Sequence, residues 1–357
     1  MNRTYVNVML GCSVLAGCAM SEPNTEQFES ATTARPVVIA SGLDNPRGLD
    51  FGPDGALYVT EAGRGGTAQC GPGPLGFDMC FGSSGAITRI SGRSKSRVIT
   101  GLASYAAPTT GAQAFGPSDI HFTPHGTGYF VVQGCISASS TCGRQFTMGT
   151  HNNFLGGVDL TAWEIAHNPD NANPGQADPY NVLALDHQRV VVDAAANDLL
   201  SISDTGAVSL LAVFPARTVS GILMDSVPTA VVQASDGSFI VGEMTGVPFP
   251  VGGAQLWRVV PGRAPTVFAT GFTNIIDMAS GPNGSIYVLE LAKNSLASGD
   301  MTGAIIRLNR DGSRTTILDQ GLVGPTGITV GNNGDLFVSN HGQEAGTGEV
   351  LRIHLGS

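Results

Sequence analysis

Positive charge is scarce in this chain of 357 residues. It carries two lysines, Lys95 and Lys293, and 18 basic side chains in all against 28 acidic ones, for a net charge of −10. Sequence-independent nucleic-acid binding needs clustered Lys and Arg to displace counterions from phosphates, so nucleic acid is excluded as a partner. Charged residues are only 13% of the chain and aromatics 6%, a composition that speaks against a helical bundle. After the first seventeen residues no apolar run approaches membrane-spanning length. No GxSxG elbow and no HExxH motif occurs. Gly71-Pro72-Gly73-Pro74-Leu75-Gly76 spells GxGxxG, but it lies between two cysteines with prolines inside and without a strand–helix context, which excludes a nucleotide loop. What is abundant is glycine, 49 residues, and proline, 20. With 42% hydrophobic residues to form a core, that excess suits many short strands joined by tight turns.

The N-terminus is set apart from the rest. Arg3 gives a charged start, Val6 to Leu15 is mostly apolar, and Leu15-Ala16-Gly17-Cys18 has the form of a lipobox. This resembles a bacterial lipoprotein signal, and the resemblance implies cleavage of residues 1–17, diacylglycerol on Cys18 and a flexible tether over 18–35. An ordinary secretory signal or a short anchor is the alternative. The expected location is the periplasmic face of the cell envelope, with the outer membrane favoured over the inner and the lipid as the only membrane contact. Cys12 leaves with the signal, so Cys70, Cys80, Cys135 and Cys142 remain. Proximity along the chain favours the bridges Cys70–Cys80 and Cys135–Cys142. Zinc ligation is the alternative, but no CxxC spacing and no His pair at finger spacing supports it.

An internal repeat fixes the expected architecture. Pro46 to Val59 reads as strand, Asp54-Gly55 turn, strand, and the text returns at Pro117–Val132, Pro179–Val192, Pro228–Val241, Ile275–Val288 and Pro325–Val338. The closest of these starts lie about 50 residues apart, the length of a four-stranded propeller blade, and the two longest intervals hold the cysteines. Third and fourth strands follow, as in Ala254–Val260 and Pro265–Phe272. The last unit ends one strand short, and Val37–Leu43 matches the fourth-strand text Val98–Leu102. The fold class is therefore all-β: a six-bladed β-propeller over residues 36–357, closed by its N-terminal strand. Between the second and third units, Cys135 to Ala177 reads as an insertion with a helix over 159–167, N-capped by Asp159 and stopped by Asn168-Pro169.

In this architecture the starts of first strands and the ends of second strands lie at one face, around a channel mouth. The second-strand ends are Glu61, Gln133, Asp193, Glu243, Glu290 and Asn340. The first-strand starts are Gly48, Asp119, Asn181, Ala230, Asp277 and Gly327, with Arg47, Ser118, Tyr180 and Thr229 beside them. Asp119, Asn181 and Asp277 come from three blades at equivalent heights and offer only oxygen ligands, which suits Ca²⁺ or another hard divalent cation. The alternative is that they hydrogen-bond the backbone of neighbouring blades. Arg47 is expected to pair with Glu61 or to hold a substrate carboxylate. Of the histidines, His121 lies within an inner strand as a packed residue, His125 occupies a turn, and His341 alone is placed for acid–base work.

Leu43-Asp44-Asn45-Pro46-Arg47-Gly48, Val241-Gly242-Glu243-Met244-Thr245-Gly246-Val247-Pro248-Phe249-Pro250 and Gly271-Phe272-Thr273-Asn274-Ile275-Ile276-Asp277 together resemble the ScyD/ScyE family. The resemblance spans the mature chain. It implies an exported propeller similar to NHL and TolB-like six-bladed proteins, associated with processing of an aromatic secondary metabolite, the pigment scytonemin. The acid–amide–acid trio also resembles the metal site of gluconolactonase-type propellers, in residue type and blade position only, since the flanking motifs differ. Two functions follow as expectations. One is binding of a small ligand or exported partner at the acidic channel by a monomer. The other is metal-dependent hydrolysis of a lactone or ester, and whether the protein is an enzyme stays open at this stage.

Overall fold

The computed structural model describes residues 35–73, 76–134, 141–149, 153–172 and 177–355. The signal, the tether, Cys18 and Cys135 lie outside the described residues, and with them the lipidation site and one partner of the second expected bridge.

Six antiparallel sheets radiate from one axis. Blade 1 runs Pro46–Phe51, Leu57–Glu61, Asp78–Ser91, Ser94–Ala106 from the axis outward, and blade 2 runs Pro117–Phe122, Gly128–Val132, Arg144–Met148, Phe154–Asp159. Blade 3 is Pro179–Ala184, Gln188–Asp193, Asp198–Ser203, Val208–Val213, and blade 4 is Pro228–Gln233, Phe239–Glu243, Ala254–Val259, Thr266–Phe272. Blade 5 is Ile275–Ser280, Ile286–Glu290, Ala304–Leu308, Arg314–Leu318. Blade 6 is Gly327–Val330, Leu336–Asn340 and Ala345–Ile353, completed by the N-terminal strand Pro36–Asp44. In that last pairing Pro36 lies opposite Ile353 and Asp44 opposite Ala345. No helix among the described residues is long and apolar enough to cross a membrane.

Every second strand is covered on both faces by neighbouring blades, which is why Leu57–Glu61, Phe239–Glu243 and Ile286–Glu290 are buried at every position and read as continuous apolar runs. The core is accordingly divided among the seams. One cluster joins blades 5 and 6 through Tyr287, Leu289 and Val338, and another joins blades 1 and 2 through Ile87, Phe130 and Phe146. The closing strand contributes Leu43 to the seam between blades 6 and 1, against Leu49, Val59 and Val350. The turn between the first two strands of blade 1 depends on Gly55, at φ +71°, with Asp54 accepting the Ala56 N–H at 3.1 Å.

Two local features differ from the sequence expectation. The segment 135–177 is not wholly an insertion, because it contains the two outer strands of blade 2, Arg144–Met148 and Phe154–Asp159. The second of these carries Gly156-Gly157 and lacks alternation because Phe146 lies against Gly157, where a β-carbon would stand 2.7 Å from its ring. The helix that follows, Leu160–His167, has Asp159 as N-cap and a left-handed Asn168 as C-cap, as the sequence indicates. Beyond the blades, Arg217–Val219 and Ile222–Met224 form a hairpin between blades 3 and 4, and the disulfide Cys70–Cys80 ties a short strand, Ala68–Pro72, to the long third strand of blade 1.

Candidate functional site

The inner strands place two tiers of side chains around the axis, because residues two apart on a strand share a face. The deeper tier is Gly48, Asp119, Asn181, Ala230, Asp277 and Gly327, and three of its members reach across to the next blade. The Val182 N–H donates to Asp119 Oδ2 at 2.9 Å, the Val231 N–H to Asn181 Oδ1 at 3.1 Å, and the Ile328 N–H to Asp277 Oδ2 at 2.8 Å. Asn181 Nδ2 in turn donates to Asp277 Oδ1 at 3.3 Å. The glycines of this tier have a steric cause. A β-carbon on Gly48 would fall 1.9 Å from Asp119 Oδ1, and one on Gly327 would fall 2.4 Å from the Arg47 carbonyl. A parallel set of staples lies one residue earlier, where Ser118, Thr229 and Thr326 donate their hydroxyls to the carbonyls of Pro179, Ile275 and Pro46.

Asp119, Asn181 and Asp277 line an axial cavity of about 200 Å³ together with Asp50, His121, Ser280 and Thr329. Both aspartates of the trio are buried, at 6% exposure each. Burial pushes the Asp277 carboxyl up to about 7 although the Ile328 and Met278 N–H groups oppose it, and nearby Asp50 adds to the rise. Burial raises Asp119 well above the carboxylate range, with the Asp277 charge as the next cause. Among the described residues no Lys or Arg forms an ion pair with either aspartate, and no three His, Cys, Asp or Glu side chains converge as a metal cluster. Any cation here would rest on two carboxylates and one amide.

The outer tier holds the residue that sequence reading missed. His121 stands two positions after Asp119, and the alternation of the strand was the signal that sends both into the channel. Its ring is partly exposed, 4.0 Å from Asp50 Oδ2, and Nδ1 accepts the Ala184 N–H at 3.3 Å. With Nδ1 as the acceptor, Nε2 is the ring nitrogen placed to donate. His121 and Leu183 also border a second hollow of about 740 Å³ between blades 2 and 3, where Phe122, Pro124, Asp186, His187 and Gln233 form the walls.

The second-strand ends are not brought to this cavity. Each reaches instead for the chain entering its own blade. Glu61 accepts the Asp44 N–H at 2.7 Å, Asp193 the Asp178 N–H at 2.7 Å, Glu290 the Thr273 N–H at 2.7 Å and Asn340 the Val323 N–H at 2.7 Å. Gln133 accepts the Gly116 N–H at 3.3 Å. Glu243 takes the Ser226 hydroxyl at 2.7 Å and the Trp257 indole N–H at 2.8 Å, with Arg217 as its cation. Burial lifts Glu290 to about 7, and burial with the nearby Asp178 and Glu164 charges lifts Asp193 to about 8, despite these donors. Arg47 does not pair with Glu61, whose cation is Arg97 at 2.7 Å. Its buried guanidinium donates to the carbonyls of Gly342 and Ala114, at 2.5 and 2.7 Å, near Tyr180 and Asp178. His341 faces Glu344 at 3.4 Å and does not line the cavity.

No family model matches the chain, and no curated protein matches it in sequence. Solved structures do match in fold. A putative gluconolactonase aligns over 91% of this chain and 94% of its own, at TM-score 0.56 and 9% identity. A putative oxidoreductase (glucose dehydrogenase) from Thermus thermophilus aligns over 90% and 100%, at 0.55 and 16%. A streptogramin B lyase aligns over 90% and 97%, at 0.50 and 15%. At these identities the likeness establishes the shared six-bladed propeller and nothing about activity.

Proposed function

We propose that the axial cavity binds a small oxygen-rich ligand, reached from the hollow beside His121. The observation that supports this reading is the convergence of Asp119, Asn181 and Asp277 from three blades beneath His121 and Asp50 in one cavity. The deeper carboxyls meet the hydroxyls of a ligand, and the His121 Nε2–H is placed to donate to a ligand oxygen. Within this reading the protein is an exported, lipid-anchored monomer of the ScyD/ScyE type, acting on or carrying an aromatic secondary metabolite, with a small molecule or another exported protein as partner. The test is a thermal-shift panel of indolic phenols and lactones on the wild type and His121→Ala. Stabilisation of the wild type that is reduced in the variant is expected, and equal stabilisation of both removes the channel as the site.

The donor set favours a second reading, a divalent-metal-dependent hydrolase of the gluconolactonase type. Two buried carboxylates and an amide oxygen without a basic partner fit a hard cation such as Ca²⁺. Asp119, Asn181 and Asp277 would hold it, and a cation there supplies Lewis-acid polarisation of a carbonyl. The residues of the outer tier orient the substrate, with His121 donating to its oxygen and the Phe122, Pro124 and Leu185 wall excluding water from its apolar side. Calcium titration by calorimetry and elemental analysis of the purified protein test this reading. Asp277→Asn should lose at least tenfold in affinity, about 1.4 kcal/mol, and absence of binding by the wild type ends it.

A further inference from the structure

We infer that Glu164 and Asp198 share one proton, and that this proton latches the inserted helix onto blade 3. The inference is independent of what the channel binds. Glu164 sits in the middle of the helix Leu160–His167 and is 2% exposed. Asp198 opens the third strand of blade 3 and is fully buried, opposite the equally buried Asp193. The helix packs on blade 3 through Leu160 and Trp163 against Val191 and Leu200, and there the Glu164 and Asp198 carboxyls interact directly. Among the described residues no N–H or O–H group donates to either oxygen of Asp198, to Glu164 Oε1 or to Asp193 Oδ2. Buried carboxylate oxygens left in that state are costly, and two of them in contact repel. A proton held between them is the missing donor, and it converts the repulsion into a charge-assisted hydrogen bond.

Among the described residues the surroundings supply no other source of compensation. Asp193 uses its Oδ1 on the N–H groups of Asp178, Ala195 and Ala196. Asp170, beyond the helix, takes the Asn197 amide at 3.3 Å. Arg144, on the strand of blade 2 that packs on the helix, is occupied by Asp159. His167 stacks on Trp163 and acts on Glu164 as a basic group, where it opposes Asp170. Asp178 stands behind Asp193. Burial first, and then Asp170, hold Glu164 up at about 7 against the opposing hydrogen bond with Asp198, while burial, Asp193, Glu164 and Asp170 hold Asp198 well above its ordinary range. A carboxyl raised in the folded state retains its proton below that value and stabilises docking there, and the contribution is lost as pH rises through it. The chain leaving this helix continues into Pro179–Ala184, the inner strand that carries Tyr180 and Asn181, so the latch bears on the channel wall.

Amide hydrogen exchange read by mass spectrometry on peptides covering 160–172 tests the latch, after correction for intrinsic exchange. In the wild type, protection is expected to fall about tenfold per pH unit as pH rises past 7, the slope for one coupled proton. Glu164→Gln carries a permanent donor and should be protected without that slope. Asp198→Asn provides the same test from the strand side, should either variant fold poorly. Trp163 and Trp257 are the only tryptophans, so Trp163 fluorescence in a Trp257→Phe background gives a second readout, with a red shift over the same pH range. Flat protection in the wild type, an unchanged slope in both variants, or restoration of protection at high pH by added Ca²⁺ would each overturn the shared proton.

Discussion

Gly48→Ala asks whether the close approach of blades 1 and 2 sets the geometry of the channel. The added β-carbon would lie 1.9 Å from Asp119 Oδ1 and 2.8 Å from Asp119 Cα. Side-chain rotation can relieve the first contact at the expense of the Val182 N–H bond to the same carboxyl. It cannot relieve the second, because the α-carbon belongs to the inner strand of blade 2, so the two strands must separate. Overpacking of this kind costs about 1–3 kcal/mol, and at about 2 °C per kcal/mol for a domain of this size the melting temperature should fall by about 2–6 °C. Gly71→Ala is the control, since a β-carbon there meets nothing within 4 Å and no positive φ is involved, and its effect should stay within about 0.5 kcal/mol. Thermal unfolding followed by circular dichroism at 218 nm, about the usual β-sheet minimum, measures both. A Gly48→Ala protein as stable as the Gly71→Ala control would refute the argument that the glycines of the deeper tier are imposed by the neighbouring blade.

Two further outcomes concern the closing seam. Leu43→Ala removes a side chain that is 1% exposed at the junction of blades 6 and 1, and should cost about 2–5 kcal/mol in urea unfolding. A smaller loss would mean that the N-terminal strand is held by its backbone pairing alone. Arg97→Ala leaves Glu61 and Asp44 buried, with Arg64 as the remaining cation on Asp44. Because Arg97 is 43% exposed, solvent screening reduces the expected loss from the fully buried range to about 1–3 kcal/mol. Burial pushes Asp44 up, but Arg64 and Arg97 outweigh it and hold the carboxyl below its ordinary 3.8. Its contribution is therefore present above that value and lost as pH falls through the lowered one, so the gap between wild type and variant should narrow as pH falls below 3.8. An unchanged gap there would contradict the ion-pair account.

The blades were legible in the sequence because the turn chemistry at positions such as Asp54-Gly55 repeats with buried apolar runs on either side. The closing strand was legible because it carries fourth-strand text at the wrong end of the chain. Asp119, Asn181 and Asp277 were found as a set for the same reason, since alignment of repeats gives equivalent height. Alignment does not give direction. The oxygens of Glu61, Asp193 and Glu290 occupy equivalent positions yet turn back toward the connections that precede their blades, a choice made by unsatisfied backbone N–H groups that a one-dimensional pattern does not display. His121 reads as a packed strand residue although the period of two ties it to Asp119. The outer strands of blade 2 read as insertion because Gly156-Gly157 accommodate Phe146 and erase the alternation.

Pro36 and Ile353 face each other in the last sheet, so a strand made early must wait for one made much later before the circle exists. Contacts that span so much of the chain are slow to form, and closure of the ring is therefore a late step of assembly. Until they meet, each of the two strands keeps an unpaired edge.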